Sequence, residues 1–147
     1  MNEFRVCVFH ASPTQRVAVG EAEFLHLVSG GATYPVPLAP AHCREILQWG
    51  GEAIPVVDLG QWLGGDGSGA PGDYLGIVGY QRHTDAPFQL GALRMTRAPE
   101  KATVTDHQAH NSFPRDPLWK RIALCCYEDE QGAVPVLDLA RVFSRNG

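Results

Sequence analysis

The chain has 147 residues, of which 44% are hydrophobic and 19% are charged, a composition typical of one folded globular domain rather than of a disordered chain. The net charge is -4 and no basic stripe is visible, which disfavours nucleic-acid binding. No apolar run is long enough to span a bilayer, and the first ten residues do not form a signal peptide, so we expect a cytoplasmic protein without direct membrane insertion.

The first part of the chain is predicted to form short strands separated by turns. Apolar residues alternate over Phe4–Phe9, and a second strand segment is predicted at Val17–Val19. The segment Phe24–Val28 is apolar on both faces, which indicates a strand that is buried twice or that pairs with a partner. A loop follows over residues 29–40, because its prolines cannot serve a central ladder. The next strand is predicted at Arg44–Trp49.

The second part repeats this style of short strands. Residues Gly64–Asp73 consist almost entirely of small, turn-forming residues and are predicted to be a flexible connection. Strands are predicted at Tyr74–Tyr80, Phe88–Met95 and Ile122–Tyr127, whereas the polar segment Pro99–Pro117 is predicted to be a loop. Short strands without a long amphipathic helix indicate an all-β sandwich or a pair of barrels.

One short phrase occurs twice. Residues Ala53–Gly60 and Ala133–Ala140 match position for position, from an apolar strand with a proline to an acid followed by leucine. We therefore expect two similar halves, with Ile54–Leu59 and Val134–Leu139 in equivalent places. Each phrase places an acid, Asp58 or Asp138, after its strand. We interpret both acids as caps of short helices, and a functional carboxylate pair is the alternative.

No group of residues has the pattern of an active site or a metal site. Residues Gly67–Gly72 match G-x-G-x-x-G, but no helix is predicted to follow them, as phosphate binding requires. The pair His107 and His110 lies beside prolines that disfavour a shared helix face. We therefore expect no cofactor, no metal and no enzymatic activity, and interpret the four cysteines as reduced and mostly buried.

The remaining candidates suit a protein that binds other proteins. Each of the three tryptophans is either a core residue or an exposed interface anchor, and the sequence leaves both interpretations open; they are Trp49, Trp62 and Trp119.

Residues Arg44–Leu59, preceded by a loop that ends in Pro40, resemble the CheW-like domain of bacterial chemosensory systems. The family signature runs Pro … Gly-Val-x-Asn-Leu-Arg-Gly-x-x-x-Pro-Val-x-Asp-Leu, and its Pro-Val-x-Asp-Leu element stands here as Pro55–Leu59. Gly91–Met95 and Val134–Leu139 lie where the family has its second-half strands. The resemblance covers nearly the whole chain.

The resemblance implies one domain over residues 1–147, built from two five-stranded SH3-like β-barrels related by a pseudo-two-fold axis, with short helical segments. The halves are expected at roughly 15–70 and 71–135, with the terminal segments completing the barrels. It also implies a non-enzymatic adaptor that joins a chemoreceptor's cytoplasmic tip to the regulatory domain of a CheA-type histidine kinase, recruited to membrane-associated receptor arrays. Trp49 occupies a place where relatives that serve type IV pilus motility often have tryptophan.

The expected partner face lies on the first barrel, with a second contact implied in the groove between the barrels. Its residues are Phe24, His26, Leu27, Trp49 and Gly50, with Leu75 and Ile77 in the groove. The signature arginine is replaced by Gly50, the signature glycine by Glu45, and the family's acid by His26. A module of the same fold with a partner outside chemosensory arrays is therefore the alternative function.

Overall fold

The structure of the protein, a computed structural model, describes residues 3–29, 33–63, 74–110, 112–114 and 116–144. The predicted connection over Gly64–Asp73 lies outside these residues. The strands are β1 (Glu3–Ser12), β2 (Gln15–Gly20), β3 (Phe24–Ser29), β4 (Thr33–Pro35), β5 (Glu45–Trp49), β6 (Glu52–Val57), β7 (Tyr74–Tyr80), β8 (Gln89–Met95), β9 (Glu100–Thr105), β10 (Ala109–His110), β11 (Ala123–Asp129) and β12 (Gly132–Leu137). The helices are α1 (Leu59–Trp62), α2 (Leu118–Ile122) and α3 (Leu139–Val142), with 3-10 turns at Glu21–Glu23 and Ala41–Cys43.

The strands form two six-stranded sheets. The central sheet has the order β3-β7-β8-β6-β5-β4 and uses residues between 24 and 95. The terminal sheet has the order β10-β11-β12-β2-β1-β9 and uses residues near both ends of the chain. The expectation of an all-β fold with short helices is confirmed. Each sheet has one strand more than the expected five, and β4 and β10, three and two residues long, are short strands at the sheet edges.

The two sheets share one plan. In each, three antiparallel strands join three others through one parallel pair of strands. This pair aligns Val56 with Ala92 in the central sheet and Val136 with Ala18 in the terminal sheet. The prediction from the repeated phrase is confirmed, because β6 and β12 hold equivalent positions in their sheets. The hydrogen bonds repeat as well, since the Asp58 N–H donates to the His42 carbonyl at 2.8 Å and the Asp138 N–H donates to the Ile122 carbonyl at 2.7 Å.

Each sheet combines a hairpin from one copy of the repeat with strands from the other copy. The hairpin β1–β2 precedes β3–β6 in the chain, yet it pairs with β9 and β12 in the terminal sheet. The hairpin β7–β8 pairs in turn with β3 and β6 of the central sheet. The sheets therefore do not coincide with the expected halves at roughly 15–70 and 71–135, because the repeats exchange hairpins and residues 74–95 complete the central sheet.

Three apolar clusters form the core. One cluster lies between the sheets and includes residues of both, such as Val57 and Leu137, together with all of the buried residues of the three helices. Each sheet also encloses a cluster of its own. The central-sheet interior contains Leu47, Ile54, Val56, Leu75, Ile77 and Ala92, and the terminal-sheet interior contains Val6, Ala18, Val104, Tyr127, Val134 and Val136.

Two local predictions need correction. The predicted loop Pro99–Pro117 contains β9 and β10, because the inward side chains of β9 pack against the terminal-sheet interior while its outward ones are polar. The cap interpretation holds for Asp58, which accepts a hydrogen bond from the Gln61 N–H at 3.3 Å. Asp138 makes no side-chain cap and lies 3.4 Å from the Arg141 guanidinium instead.

Candidate partner-binding surface

At one end of the central sheet, the apolar interior is covered by apolar side chains that are themselves exposed to solvent. The ideal Cβ position of Gly79 lies 2.9 Å from the Leu25 side chain and 3.6 Å from the Phe88 ring, so both residues lie over this glycine. Gly79 lies two residues beyond the buried Ile77 and therefore on the same face of β7. Leu25 is 50% exposed and Phe88 is 71% exposed. Because Gly79 has no side chain, the side chains of Leu25 and Phe88 can both lie over it.

Aromatic side chains extend the same end of the sheet. Trp49 and Leu90 are half-buried and pack against the central-sheet interior. The His26 ring lies 5.7 Å from the Trp49 ring, centroid to centroid. We call the surface formed by Leu25, His26, Trp49, Phe88 and Leu90 the apolar end. It combines a large accessible apolar area with two rings that carry polar nitrogen atoms, as interface anchors commonly do.

A tight turn borders the apolar end. Gly50 and Gly51 have φ angles of 59° and 80°, as in a two-residue turn of type I′, and they connect β5 to β6. Glycine adopts this backbone without strain, which explains the residue pair. A Cβ atom at either position would have no neighbour within 4 Å, so the turn projects into open space and leaves room for a partner.

The equivalent end of the terminal sheet carries charges. Strand register relates the positions at the two ends, and the equivalent pairs are Gly79 and His10, Leu90 and Arg16, Trp49 and Asp129, and His26 and Glu100. The Arg16 guanidinium donates to both carboxylate oxygens of Asp129, at 2.6 and 2.8 Å, and this pairing holds the pKa of that carboxyl below its usual value. We call the surface formed by His10, Arg16, Glu100 and Asp129 the charged end.

A polar cleft opens beside the charged end. Its volume is about 240 Å³, and it is also lined by Arg97, Lys101 and Gln131 and by the apolar residues Val8, Ala98 and Ala102. Burial lowers the pKa of the His10 imidazole, and the positive charges of Arg97 and Arg16 lower it further. The cleft therefore favours polar groups, whereas the apolar end at the equivalent position of the central sheet favours apolar ones.

The CheW-like domain profile matches residues 22–147 of the chain. The chain belongs to the CheW-like domain family. Its fold is similar to the crystal structure of the scaffolding protein TtCheW from Thermoanaerobacter tengcongensis, with a TM-score of 0.77 and 16% sequence identity over 99% of this chain and 96% of that one. No match is found among curated protein sequences.

The residues expected to form the partner face of this CheW-like domain divide into two groups. His26 and Trp49 lie in contact at the apolar end, next to the Gly50 turn. Phe24 and Leu27 are instead half-buried and pack against the cluster between the sheets. The Phe24 ring also lies 2.7 Å from the ideal Cβ position of Gly76, so its outer atoms rest against β7.

The expected groove contact needs correction. Leu75 is 3% exposed and Ile77 is fully buried, and both side chains belong to the central-sheet interior. A partner cannot reach them while the CheW-like fold is intact. The alternation of β7 places these two residues inward on the same face, which explains their burial.

Leu25 and Phe88 are absent from the residues expected from sequence. The apolar run of Phe24–Val28 includes Leu25, but a strand that is apolar on both faces does not reveal which face lies inside. Phe88 follows a turn-forming segment and is preceded by Pro87, a pattern that indicates the start of a strand rather than an exposed ring.

The described residues contain no group of three or more side chains suited to a metal ion. Among the helices of the described ranges, none is both long and apolar enough to cross a membrane. Burial raises the pKa of each cysteine thiol, to about 11 for Cys126, so the thiols are protonated at neutral pH. Cys7 and Cys126 are buried, and Cys43 and Cys125 are half-buried against core clusters, so the cysteines contribute to packing.

Proposed function

We propose that this CheW-like domain is a non-enzymatic adaptor that couples chemoreceptors to a CheA-type histidine kinase in a chemosensory pathway. The observation that carries the proposal is the apolar end, where Leu25 and Phe88 are 50% and 71% exposed on a family fold associated with scaffolding. Exposed apolar side chains that lie together mark protein-binding surfaces more often than isolated ones do. The kinase regulatory domain is the partner we assign to this surface.

The energetic basis is the burial of the exposed part of these side chains. Full burial of a leucine or phenylalanine is worth about 1.5 to 3 kcal/mol, and part of that gain is still available at Phe88. Trp49 and His26 add rings whose polar atoms orient a partner. The surface therefore supplies the buried centre of an interface, and the Gly50 turn supplies part of its rim.

A binding experiment with the kinase regulatory domain tests the proposal. The change is Phe88→Asp combined with Leu25→Asp, which places two charges where apolar contact is expected. We expect at least a hundredfold weaker binding in isothermal titration, since charge burial adds to the lost apolar contact. Leu124→Asp is the matched control, because Leu124 is 61% exposed on β11 of the terminal sheet. Circular dichroism spectra should show all three proteins folded.

Two outcomes contradict parts of the proposal. Unchanged binding by the double variant means that the kinase contacts another surface. Undetectable binding of the unmodified protein to both kinase and receptor favours the alternative, a CheW-fold interaction module with a partner outside chemosensory arrays. The replacement of the signature arginine by Gly50 is the observation that supports this alternative.

The pathway is chemotaxis or type IV pilus motility, and Trp49 is the residue that favours the pilus system. A deletion strain separates the two, because loss of swimming bias identifies a chemotaxis pathway and loss of twitching identifies a pilus pathway. Loss of neither behaviour would support the partner outside arrays.

A further inference from the structure

The polar cleft lies at one end of the terminal-sheet interior. Val8 and Ala102 line the cleft and also pack against the apolar cluster inside this sheet, so they form the floor of the cleft. His10 and Glu100 lie two residues away on the same strands, and therefore on the same faces, at the rim. An opening of this kind, at the end of a sheet that encloses an interior, resembles the mouths of β-barrels in which small ligands bind.

Small side chains on the floor make room for the cleft. Ile77 and Val28 hold the positions of the central sheet that correspond to Val8 and Ala102, and each is the larger residue of its pair. The cleft measures about 240 Å³. Because pockets for drug-sized ligands measure about 300 to 1,000 Å³, this cleft suits a smaller molecule.

Most charges around the cleft are already paired. Arg16 pairs with Asp129, and the Lys101 ammonium lies 3.4 Å from the Glu21 carboxylate. Burial keeps the pKa of the His10 imidazole below its usual value, so this ring is neutral at neutral pH. These groups therefore offer no unpaired charge to a ligand.

Two lining side chains of opposite charge have no partner. Within the described ranges, the Arg97 guanidinium and the Glu100 carboxylate make neither a hydrogen bond nor an ion pair. The Thr96 N–H donates to the His10 carbonyl at 3.1 Å, which fixes the backbone next to Arg97 against β1. A simple anion in the cleft is repelled by Glu100 and a simple cation by Arg97. A molecule that carries both charges is attracted by both residues.

A polar group also lacks a partner below the cleft. Tyr127 is 2% exposed, and its hydroxyl has no hydrogen-bond partner among the residues that the structure describes. Burial and the charge of Asp129 raise the pKa of this phenol to about 12 against the opposing charge of Arg16, so the hydroxyl lies near the ion pair that lines the cleft. Leu47, at the equivalent position of the central sheet, has no polar side-chain atom. Ordered water beneath a polar ligand would supply the partner that this hydroxyl lacks.

We propose that the cleft at the charged end binds a small zwitterion, an α-amino acid with a short apolar side chain. Arg97 donates to the α-carboxylate, Glu100 accepts from the α-ammonium group, and the side chain rests on the apolar floor. The site is independent of the proposed adaptor function, because it lies on the terminal sheet and the apolar end lies on the central sheet.

Isothermal titration with L-valine tests the proposal, together with two analogues that each lack one charge. Isovalerate has no ammonium group, and isobutylamine has no carboxylate. We expect valine to bind with a dissociation constant of about 1 mM, since a ligand of so few atoms gains little contact. Each analogue should bind about tenfold more weakly or worse, because one of the two lining charges repels it. In NMR spectra, valine should shift the ring signals of His10, which locates the ligand in the cleft.

Two variants assign the charges, each with a matched control. Arg97→Gln and Glu100→Gln should each weaken valine binding about tenfold, whereas Glu100→Gln should tighten isovalerate binding because it removes the like charge. Arg82→Gln and Glu130→Gln are the controls, since both residues are exposed and lie outside the lining of the cleft. Both controls should bind valine as the unmodified protein does.

A preference for valine over both analogues, lost in both cleft variants, supports the inference. If isovalerate or isobutylamine binds as tightly as valine, the cleft recognises a single charge and the inference is overturned. Unchanged valine binding in either cleft variant overturns it as well, and so does the absence of a His10 shift at high millimolar valine. The analogue comparison requires no substitution, so a variant that fails to fold does not protect the inference. Failure of kinase binding concerns the adaptor function alone.

Discussion

The apolar end of the central sheet and the charged end of the terminal sheet occupy equivalent positions on one structural plan. Where the terminal sheet joins Arg16 to Asp129, the central sheet packs Leu90 and Trp49. The strand pairings around both positions are the same, and both sheet interiors remain apolar. The repeat thus conserves the packing that closes each sheet, while the residues at the ends differ. We infer that the ends carry the functional difference between the sheets.

The largest expected effect comes from separating the two repeats. Fragments 1–66 and 67–147 each contain a hairpin of one sheet and the remaining strands of the other. Neither fragment can complete a sheet, so we expect each to be unfolded alone and the equimolar mixture to regain the β-sheet spectrum. Circular dichroism and size-exclusion chromatography measure this. A stably folded single fragment would show that the sheets are independent units.

The second prediction transfers a residue between equivalent positions. Gly91 pairs with Val78 as Val17 pairs with Phe9. Gly91→Val therefore gives the central sheet the residue that the terminal sheet has at the equivalent position. A Cβ atom at Gly91 would overlap the Phe143 ring. We expect a loss of about 3 kcal/mol of unfolding free energy in denaturant titration, since overpacking strains a well-packed core.

The double variant Gly91→Val with Phe143→Ala is the control for this prediction. Removing the ring removes the overlap, so the effects of the two changes should be less than additive. Strict additivity would mean that the ring is not the reason for the glycine. Gly91 would then be explained by the backbone of β8 rather than by the packing of the Phe143 ring.

The third prediction concerns the turn beside the apolar end. Gly50→Arg restores the signature arginine at a φ of 59°, which should cost about 1 kcal/mol of unfolding free energy because of left-handed strain. We expect roughly tenfold tighter binding to the kinase regulatory domain, because arginine forms bidentate contacts with carboxylates. Gly51→Arg carries similar strain one residue away and should not tighten binding. If both variants give the same titration curve, an arginine at position 50 makes no specific contact, and the turn is not part of the interface.

The smallest effect is expected at the charged end. Asp129→Asn removes an ion pair that is partly exposed, so at neutral pH the loss should be about 0.2 to 1 kcal/mol of unfolding free energy. Because the folded state lowers the pKa of Asp129, the contribution is present above the usual carboxyl pKa. It should disappear as the pH falls through the lowered value. Stability curves for both proteins measure this loss, with Glu130→Gln as control because Glu130 is exposed in the same turn. A difference that persists in acid contradicts the assignment.

Much of the fold follows from the sequence, because the repeated phrase predicted equivalent strands before their pairing was known. The sequence predicts a loop over Glu100–Thr105 because this segment is polar and follows Pro99, yet only its inward positions need to be apolar. The helix α2 was missed because five residues are too few for helical periodicity to show. The hairpin exchange has no local signal, as either hairpin could pair with either set of strands.

The candidate site was predictable only in part. His26 and Trp49 were singled out by their places in the family signature, and the structure brings their rings together. Leu25 and Phe88 could not be assigned to the surface from the sequence, because whether an apolar side chain faces inward depends on strand register and bulges.

The exchanged hairpins also affect the order in which the protein is built during synthesis. The central sheet is complete once residue 95 has left the ribosome, but the hairpin β1–β2 must wait for β9–β12 near the other end of the chain. Until β9–β12 have been synthesised, the side chains of Val6 and Ala18 have no apolar cluster to pack against and remain exposed. A ribosome that stops early therefore releases a chain whose apolar end is formed but whose first strands expose apolar side chains, which makes such a product a target for chaperones.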